Sequence, residues 1–420
     1  MALPLVQLVA FEGPDRYSFV GGLATRMNDL AEALVDRGYD VRHLFVGDPS
    51  APATEERLGG HLVLERWGQW ISAYHPKDVY DGEDGKWLDL SRTVPPHLVA
   101  DVIAPAAASG RRTVVLFEDW QTADAAIGTA LLLASRGLRG SASLFWNANN
   151  TYGFGRIDLP TLASVTTITT VSRFMRAALA ELDVEAGVIP NGIARRWLKP
   201  VPAADVRTMR AAFGDRPTFV KVARFDADKR WAWAVDAVAA LKAGGMRPRF
   251  VMRGSRAAYA DVVWARARAR GLTVDPLRLE AEAPVHAVAQ AIGASTADVV
   301  FLDFFISEAA LRALYAAAHG VLANSEKEPF GLVGLEVMAS EGIAYVGRTG
   351  EDYAVPYGNA VVVQTDDPRE LAAHLTFLGE RPELAKRIRA DGKLTAERFA
   401  WPRIIDGLEA AWGAAQRLGR

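Results

Sequence analysis

Along this chain, short runs of β-branched and aromatic residues alternate with longer stretches in which apolar positions recur every three or four residues. The short runs are strand candidates and the longer stretches amphipathic helices. In the first half, strands are predicted at Leu5–Ala10, Val41–Val46, Val114–Phe117, Leu144–Trp146, Val165–Thr170 and Ala186–Ile189. The second half repeats the pattern at Thr218–Val222, Phe250–Arg253, Val299–Leu302, Val321–Ala323, Ile343–Val346 and Ala360–Val363. Between the second set lie helical stretches such as "WAWAVDAVAALKAGG" and "EAALRALYAAAHG". This alternation predicts the α/β class, with parallel sheets covered by helices on both faces.

Length changes the picture from one fold to two. A chain of 420 residues exceeds what one core sustains, so two doubly wound domains of roughly 200 residues facing a cleft are expected. "PNGIARRWLKPVPAAD", Pro190 to Asp205, is proline-rich and lacks periodicity, which marks it as the linker. The domains predicted are residues 1–195, joined by a C-terminal helix at about 400–420 that crosses back, and residues 196–399. One region, Gly59 to Pro96, breaks the alternation and carries Trp67, Trp70, Tyr74, Tyr80 and Trp87. Either it is a flap whose tryptophan faces stack on acceptor sugars, or it is an insertion anchored by its aromatics.

Composition then excludes several classes. Apolar residues make up 50%, charged residues 23%, and the formal net charge is −2, a globular profile without a nucleic-acid-binding surface. The absence of cysteine excludes disulfides and thiolate chemistry and fits a reducing cytoplasm. The opening "MALPLVQLVAFEGP" has no basic n-region and meets Glu12 early, so it reads as a first buried strand. No apolar run reaches membrane-spanning length. The basic stripe in "YADVVWARARARG", Tyr259 to Gly271, reads as a solvated helix face, with contact to a membrane surface as the alternative.

Doubly wound sheets bind ligands beyond the carboxyl ends of their strands, so the chemistry is sought in the loops there. Gly21-Gly22 open an amphipathic helix; the pair is either a plain tight turn or a place where backbone approaches an anion. In "VKVARFDADKRW", Arg224 and Lys229 can converge on one diphosphate, or instead pair with Asp226 and Asp228. Asp226 and Asp228 also have the D-x-D spacing used for divalent metals elsewhere, but here they lie between two cations. In "EPFGLVGLEVMA", Glu328 hangs in the loop after a buried strand, whereas Glu336 lies about one turn inside the following helix. Free amide groups around Gly331 and Leu332 suit phosphate or sugar oxygens, and an acceptor-only carboxylate such as Glu336 suits a ribose diol.

Glu328 and Glu336, with Phe330-Gly331-Leu332 between them, resemble the E-x7-E signature of retaining glycosyltransferases of family 4, which adopt the two-domain GT-B fold and are distantly similar to the glycogen and starch synthases. The resemblance covers nearly the whole chain. "GGLATRMNDLAEALVDRGYDV", "TTVSRFMRAAL", "VIPNGI", "VARFDADKRW", "LYAAAHGVLANSEKEPFGLVGLEVMASEG" and "DDPRELAAHL" occur in the family's order. It implies transfer of a hexose-type sugar from a UDP-, GDP- or ADP-sugar to an acceptor hydroxyl, with the anomeric configuration kept and without a required cofactor or metal. The N-terminal domain would bind the acceptor and the C-terminal domain the donor. Carried over by position, Arg224 and Lys229 match the diphosphate-binding pair, and Gly22, beside Gly21, the first-domain loop glycine. Glu336 matches the ribose-binding carboxylate, and Glu328 the one beneath the anomeric carbon. Phe330, Gly331 and Leu332 match the backbone cradle.

The resemblance has two departures. "VVLFEDWQTADAAIG" places Glu118 where the family has a histidine beside the donor sugar. Glu118 is therefore a candidate hydroxyl ligand or general base, its ionisation opposed by Asp119. "FWNANNTYGFG" supplies Asn147, Asn149, Asn150 and Tyr152, which either bind acceptor hydroxyls or form turns. "GRTGEDYAV", Gly347 to Val355, stands where the family often has paired glycines and a glutamate near the nucleotide, and Thr349-Gly350-Glu351-Asp352 departs from that pattern. Two other classes share the architecture: a sugar-nucleotide epimerase, and a non-catalytic or weakly active nucleotide-sugar-binding protein.

Overall fold

The computed structural model describes residues 3–254 and 258–417. It divides into two compact units, Met1–Ala194 with Phe399–Arg420, and Arg195–Arg398.

The first unit is built on a sheet of β1 (Leu5–Val9), β2 (Val41–Val46), β3 (Thr54–Arg57), β4 (Leu62–Trp67), β5 (Thr113–Glu118), β6 (Ala142–Ala148), β7 (Thr167–Thr170) and β8 (Gly187–Val188), in the order β3-β4-β2-β1-β5-β6-β7-β8. Every pairing is parallel except the antiparallel edge β3–β4. Strands β5 and β6 are buried along their whole length, as strands covered on both faces must be.

The second unit contains β9 (Thr218–Val222), β10 (Arg249–Arg253), β11 (Val274–Leu277), β12 (Val299–Leu302), β13 (Gly320–Ala323), β14 (Ala344–Val346) and β15 (Val361–Val362), all parallel, in the order β11-β12-β10-β9-β13-β14-β15. Both sheets share one strand order through their first seven strands and differ there in the direction of the edge strand, β3 against β11. Each reverses direction at one place, between β1 and β5 in the first unit and between β9 and β13 in the second. Those reversals are where a doubly wound sheet leaves a crevice at its strand ends.

Three strands depart from the sequence expectation. The segment from Gly59 does not break the alternation; it continues it with β4 and the helix Glu83–His97. Its pattern was hidden because Glu65 and Arg66 are charged yet buried. Arg66 is held by Asp15 at 2.8 Å and Glu55 at 2.6 Å, and Glu65 by Arg42 at 2.5 Å and His97 at 3.2 Å. Strand β3 is exposed and polar. Strand β11 contains Pro276, which a sheet accepts at an edge where the missing N–H has no partner to lose.

The helix Trp401–Arg417 contributes Trp401, Ile405, Leu408 and Trp412 to the same core as Leu30 and Leu34 of the helix Gly22–Asp36. Gly192 lets it approach, since a β-carbon there would lie 2.2 Å from the Trp401 ring. In the second unit, Arg266 and Arg270 of the basic stripe both reach Asp236 at 2.9 Å. Among the described residues no helix is long and apolar enough to cross a membrane.

Candidate functional site

In the second unit, the loops after β9 and β13 meet at the sheet's reversal point. The amide of Glu326 donates to Asp228 carbonyl at 2.8 Å, and Lys229 Nζ lies 3.1 Å from Glu328 Oε2 and 3.5 Å from Asp228 Oδ2. Burial opposes the Lys229 charge, but Glu328 and Asp228 outweigh it and hold the ammonium above its ordinary range. Arg224 sits near enough to oppose Lys229 electrostatically, and its Nε pairs with Asp226 Oδ2 at 3.3 Å. The ion pairs with Asp226 and Asp228 weighed from the sequence are thus formed, and Lys229 adds a stronger contact to Glu328.

The helix Leu332–Ala339 starts behind this pair. Gly331 has φ +83, and a β-carbon there would press within 2.8 Å of Glu351 and 3.0 Å of the Tyr353 hydroxyl, so glycine is required. Its N-cap, Gly331, has no side chain to bond the first amide groups, and backbone amides at a helix start suit an anion. Phe330 is buried, its ring 5.8 Å from Tyr353. Tyr353 donates to Gly331 carbonyl at 2.5 Å. Burial raises the Tyr353 phenol well above its usual range, and the charges of Glu351, Glu328 and Glu336 raise it further. Glu336 is partly buried.

Two groups here were not singled out from the sequence. Glu351 is buried, accepts from Gly347 N at 3.2 Å and Thr349 N at 3.1 Å, and is pushed up to about 7 by burial and by the charge of Glu328. Its signals were an acid inside a glycine-containing loop after a buried strand and the place of that loop, where the resembled family often has a glutamate near the nucleotide. Lys221 lies within β9, donating to Leu322 carbonyl at 2.9 Å and Asn324 Oδ1 at 3.1 Å. Burial, then the charges of Lys229 and Arg230, push it down to about 7. A lysine in an otherwise apolar strand was visible, but its burial was not.

In the first unit, Glu118 is 0% exposed. Both its oxygens are engaged: Arg26 donates to them at 3.1 and 3.2 Å, Asn147 at 3.0 Å and Asn149 at 2.6 Å. Arg26 also bonds Asn191. The carboxylate expected to face a substrate hydroxyl is turned inward, because the buried Arg26 needs a countercharge. Asp119 next to it has φ 64 and ψ 175, a backbone region costly for any residue but glycine. It accepts from Asn149 N and Asn150 Nδ2, both at 2.8 Å, and burial pushes it up to about 7, with Glu118 and Glu12 adding to the effect. Asn147, Asn149 and Asn150 therefore serve these carboxylates, while Tyr152 is exposed.

Gly21 and Gly22 have open space where a β-carbon would project. The helix start they form is already met by Glu12, which accepts from Gly21 N at 3.1 Å and Ala24 N at 3.0 Å, and from Tyr80 hydroxyl at 2.5 Å.

Residues 206–395 match the family described as Glycosyl transferases group 1. A D-inositol 3-phosphate glycosyltransferase from Segniliparus rotundus is 30% identical over 168 residues, which span 39% of this chain and 37% of that protein. The match thus covers little more than a third of that relative's length. Over its whole length the chain is similar in fold to the catalytic domain of Starch Synthase IV from Arabidopsis thaliana bound to ADP and acarbose, with TM-score 0.69 and 16% identity, covering 99% of this chain and 100% of that one. Sucrose-phosphate synthase from Thermosynechococcus elongatus matches with TM-score 0.67 and 19% identity, over 98% and 100% of the two chains. The chain has the GT-B fold of two Rossmann-like units, and residues 206–395, within the second, are similar to group 1 glycosyl transferases.

Proposed function

We propose that this protein transfers a hexose-type sugar from a nucleoside diphosphate-sugar to an acceptor hydroxyl, keeping the anomeric configuration. The observation that carries the reading is the Lys229–Glu328 contact, 3.1 Å, at the reversal point of the second sheet beside an uncapped helix start. Arg224 and Lys229 neutralise the diphosphate and the charge that grows on it as it leaves. Amide groups at Gly331 and Leu332 bind its oxygens, and Phe330 keeps water from that cradle. Glu336 accepts the ribose hydroxyls. Glu328 accepts hydroxyl hydrogens of the donor sugar and lies beneath the carbon that becomes cationic. Attack comes from the face the diphosphate leaves, and a leaving-group oxygen takes the acceptor proton. In this reading the two cations supply the charge neutralisation, and neither a protein nucleophile nor a metal takes part.

From the first unit, this reading assigns Gly21 and Gly22 to the diphosphate and the polar set Asn147, Asn149, Asn150 and Tyr152 to the acceptor. Glu118 holds that set in place through Asn147 and Asn149. Similarity to a D-inositol 3-phosphate glycosyltransferase supports a small polyhydroxyl acceptor.

The test is incubation of the pure protein with UDP-, GDP- and ADP-sugars, with and without candidate acceptors. Transfer is read as nucleoside diphosphate release that rises with acceptor. Donor isomerisation, or binding without release, would replace this reading with an epimerase or a sensor.

A further inference from the structure

The aromatics between Gly59 and Pro96 do not share one fate. Trp67 donates to Thr93 at 2.7 Å and packs on His97. Tyr80 bonds Glu12 and packs on Phe11. Trp87 lies against Trp120, with the Arg156 guanidinium 4.5 Å over its ring. These three anchor the segment. Trp70 and Tyr74 differ in leaving most of their rings open: they are 64% and 80% exposed, one turn apart on the helical stretch that starts at Gln69.

Both line a cavity of about 440 Å³, walled on its other side by the helix Glu83–His97, within the size range of small-molecule sites. Ile71 and Leu88 supply apolar lining, and Asp89 and Arg92 supply charge. Burial holds the Asp89 carboxyl above its ordinary range, and among the described residues its carboxylate has one donor, Trp70 Nε1 at 3.3 Å, on Oδ1. Oδ2 has none, and Arg92 has no ion-pair partner among the described residues. An acyl chain filling this cavity would bury Asp89 further without a donor, which costs free energy. An anionic ligand would meet the Asp89 charge. A pyranose satisfies every wall: its C–H face covers aromatic rings, its hydroxyls donate to Asp89, and its oxygens accept from Arg92.

We propose that this cavity is a carbohydrate-binding site for an oligosaccharide, with Trp70 and Tyr74 as stacking platforms and Asp89 and Arg92 as hydroxyl ligands. It uses no residue assigned to donor or acceptor in the transfer reaction, so the two readings stand or fall separately.

The test is binding of the labelled full-length chain to an oligosaccharide array, followed by calorimetry with the tightest oligosaccharide found, with octyl glucoside, and with phosphatidylglycerol–phosphatidylcholine vesicles. The expected result is oligosaccharide binding that Trp70→Ala and Asp89→Ala each weaken about tenfold or more, and that Glu336→Ala leaves unchanged. Asp89→Asn, close in shape, checks that any loss is not unfolding and is expected to lose less than Asp89→Ala. The proposal is overturned by no binding on the array, by binding equal in the Trp70 and Asp89 variants, or by binding only to vesicles or to the octyl chain whatever sugar it carries.

Discussion

The Lys229 ammonium and the Glu328 carboxylate, 3.1 Å apart, come from loops after two adjacent strands and are each other's countercharge before any phosphate is present. A diphosphate arriving at Lys229 competes with Glu328, which links the grip on the nucleotide to the residue under the sugar.

Removing either partner therefore has opposite effects on binding. Lys229→Ala is expected to raise the dissociation constant for the donor nucleotide by about 10–100-fold, the scale of one charge-assisted hydrogen bond. Glu328→Gln leaves Lys229 without a competitor, so nucleotide binds as tightly or more tightly, while turnover falls on the order of a hundredfold. Calorimetry and steady-state kinetics read the split; a shared loss of affinity in both variants would refute it.

Donor binding near neutral pH is expected to take up protons. Lys221 and Glu351 both titrate at about 7, and negative charge brought to Lys229 favours the protonated form of each. Titrations in buffers of different ionisation enthalpy measure the uptake. Lys221→Met and Glu351→Gln should each reduce it.

The buried Arg26–Glu118 pair makes a stability prediction. Glu118→Ala leaves Arg26 charged and unpaired in a core, a cost of about 3–5 kcal/mol, seen as a fall in melting temperature of roughly 10 °C. Arg26→Met with Glu118→Met should recover much of the loss. Glu118→His retains activity only if the imidazole can also hold Arg26, Asn147 and Asn149 in place, which activity and melting measured together will show.

Asp119 gives a pH dependence opposite to that of an ion-paired acid. Its carboxyl rises from 3.8 to about 7 on folding, so between those values the folded chain binds the proton more tightly than the unfolded one. The resulting stability is full below 3.8 and is lost as pH rises through 7. Asp119→Asn, a mimic of the protonated form, is expected to gain in melting temperature relative to the wild type between pH 5 and pH 8. An unchanged difference across that range would show that Asp119 ionises normally.

Much of the fold was legible because parallel strands buried on both faces are continuous apolar runs. Leu5–Ala10, Val41–Val46, Thr218–Val222 and Val299–Leu302 all mark strands that the structure contains. Where charge enters the interior, the signal fails, as Glu65 and Arg66 disguise β4; at the sheet's edge, Pro276 disguises β11. The loops after β9 and β13 were identifiable because their residues are local in sequence. The inward turn of Glu118 was not, since it depends on Arg26, 92 positions earlier.

Periodicity and local chemistry, carried by neighbours in the chain, were enough to determine the class of fold, most of its strands, and the loops after β9 and β13 that hold cations and carboxylates. Only the tertiary structure decided which carboxylates stay turned to solvent and which are spent on a buried cation. That choice rests on desolvation and on partners far away in sequence, and neither exists until the sheets are assembled.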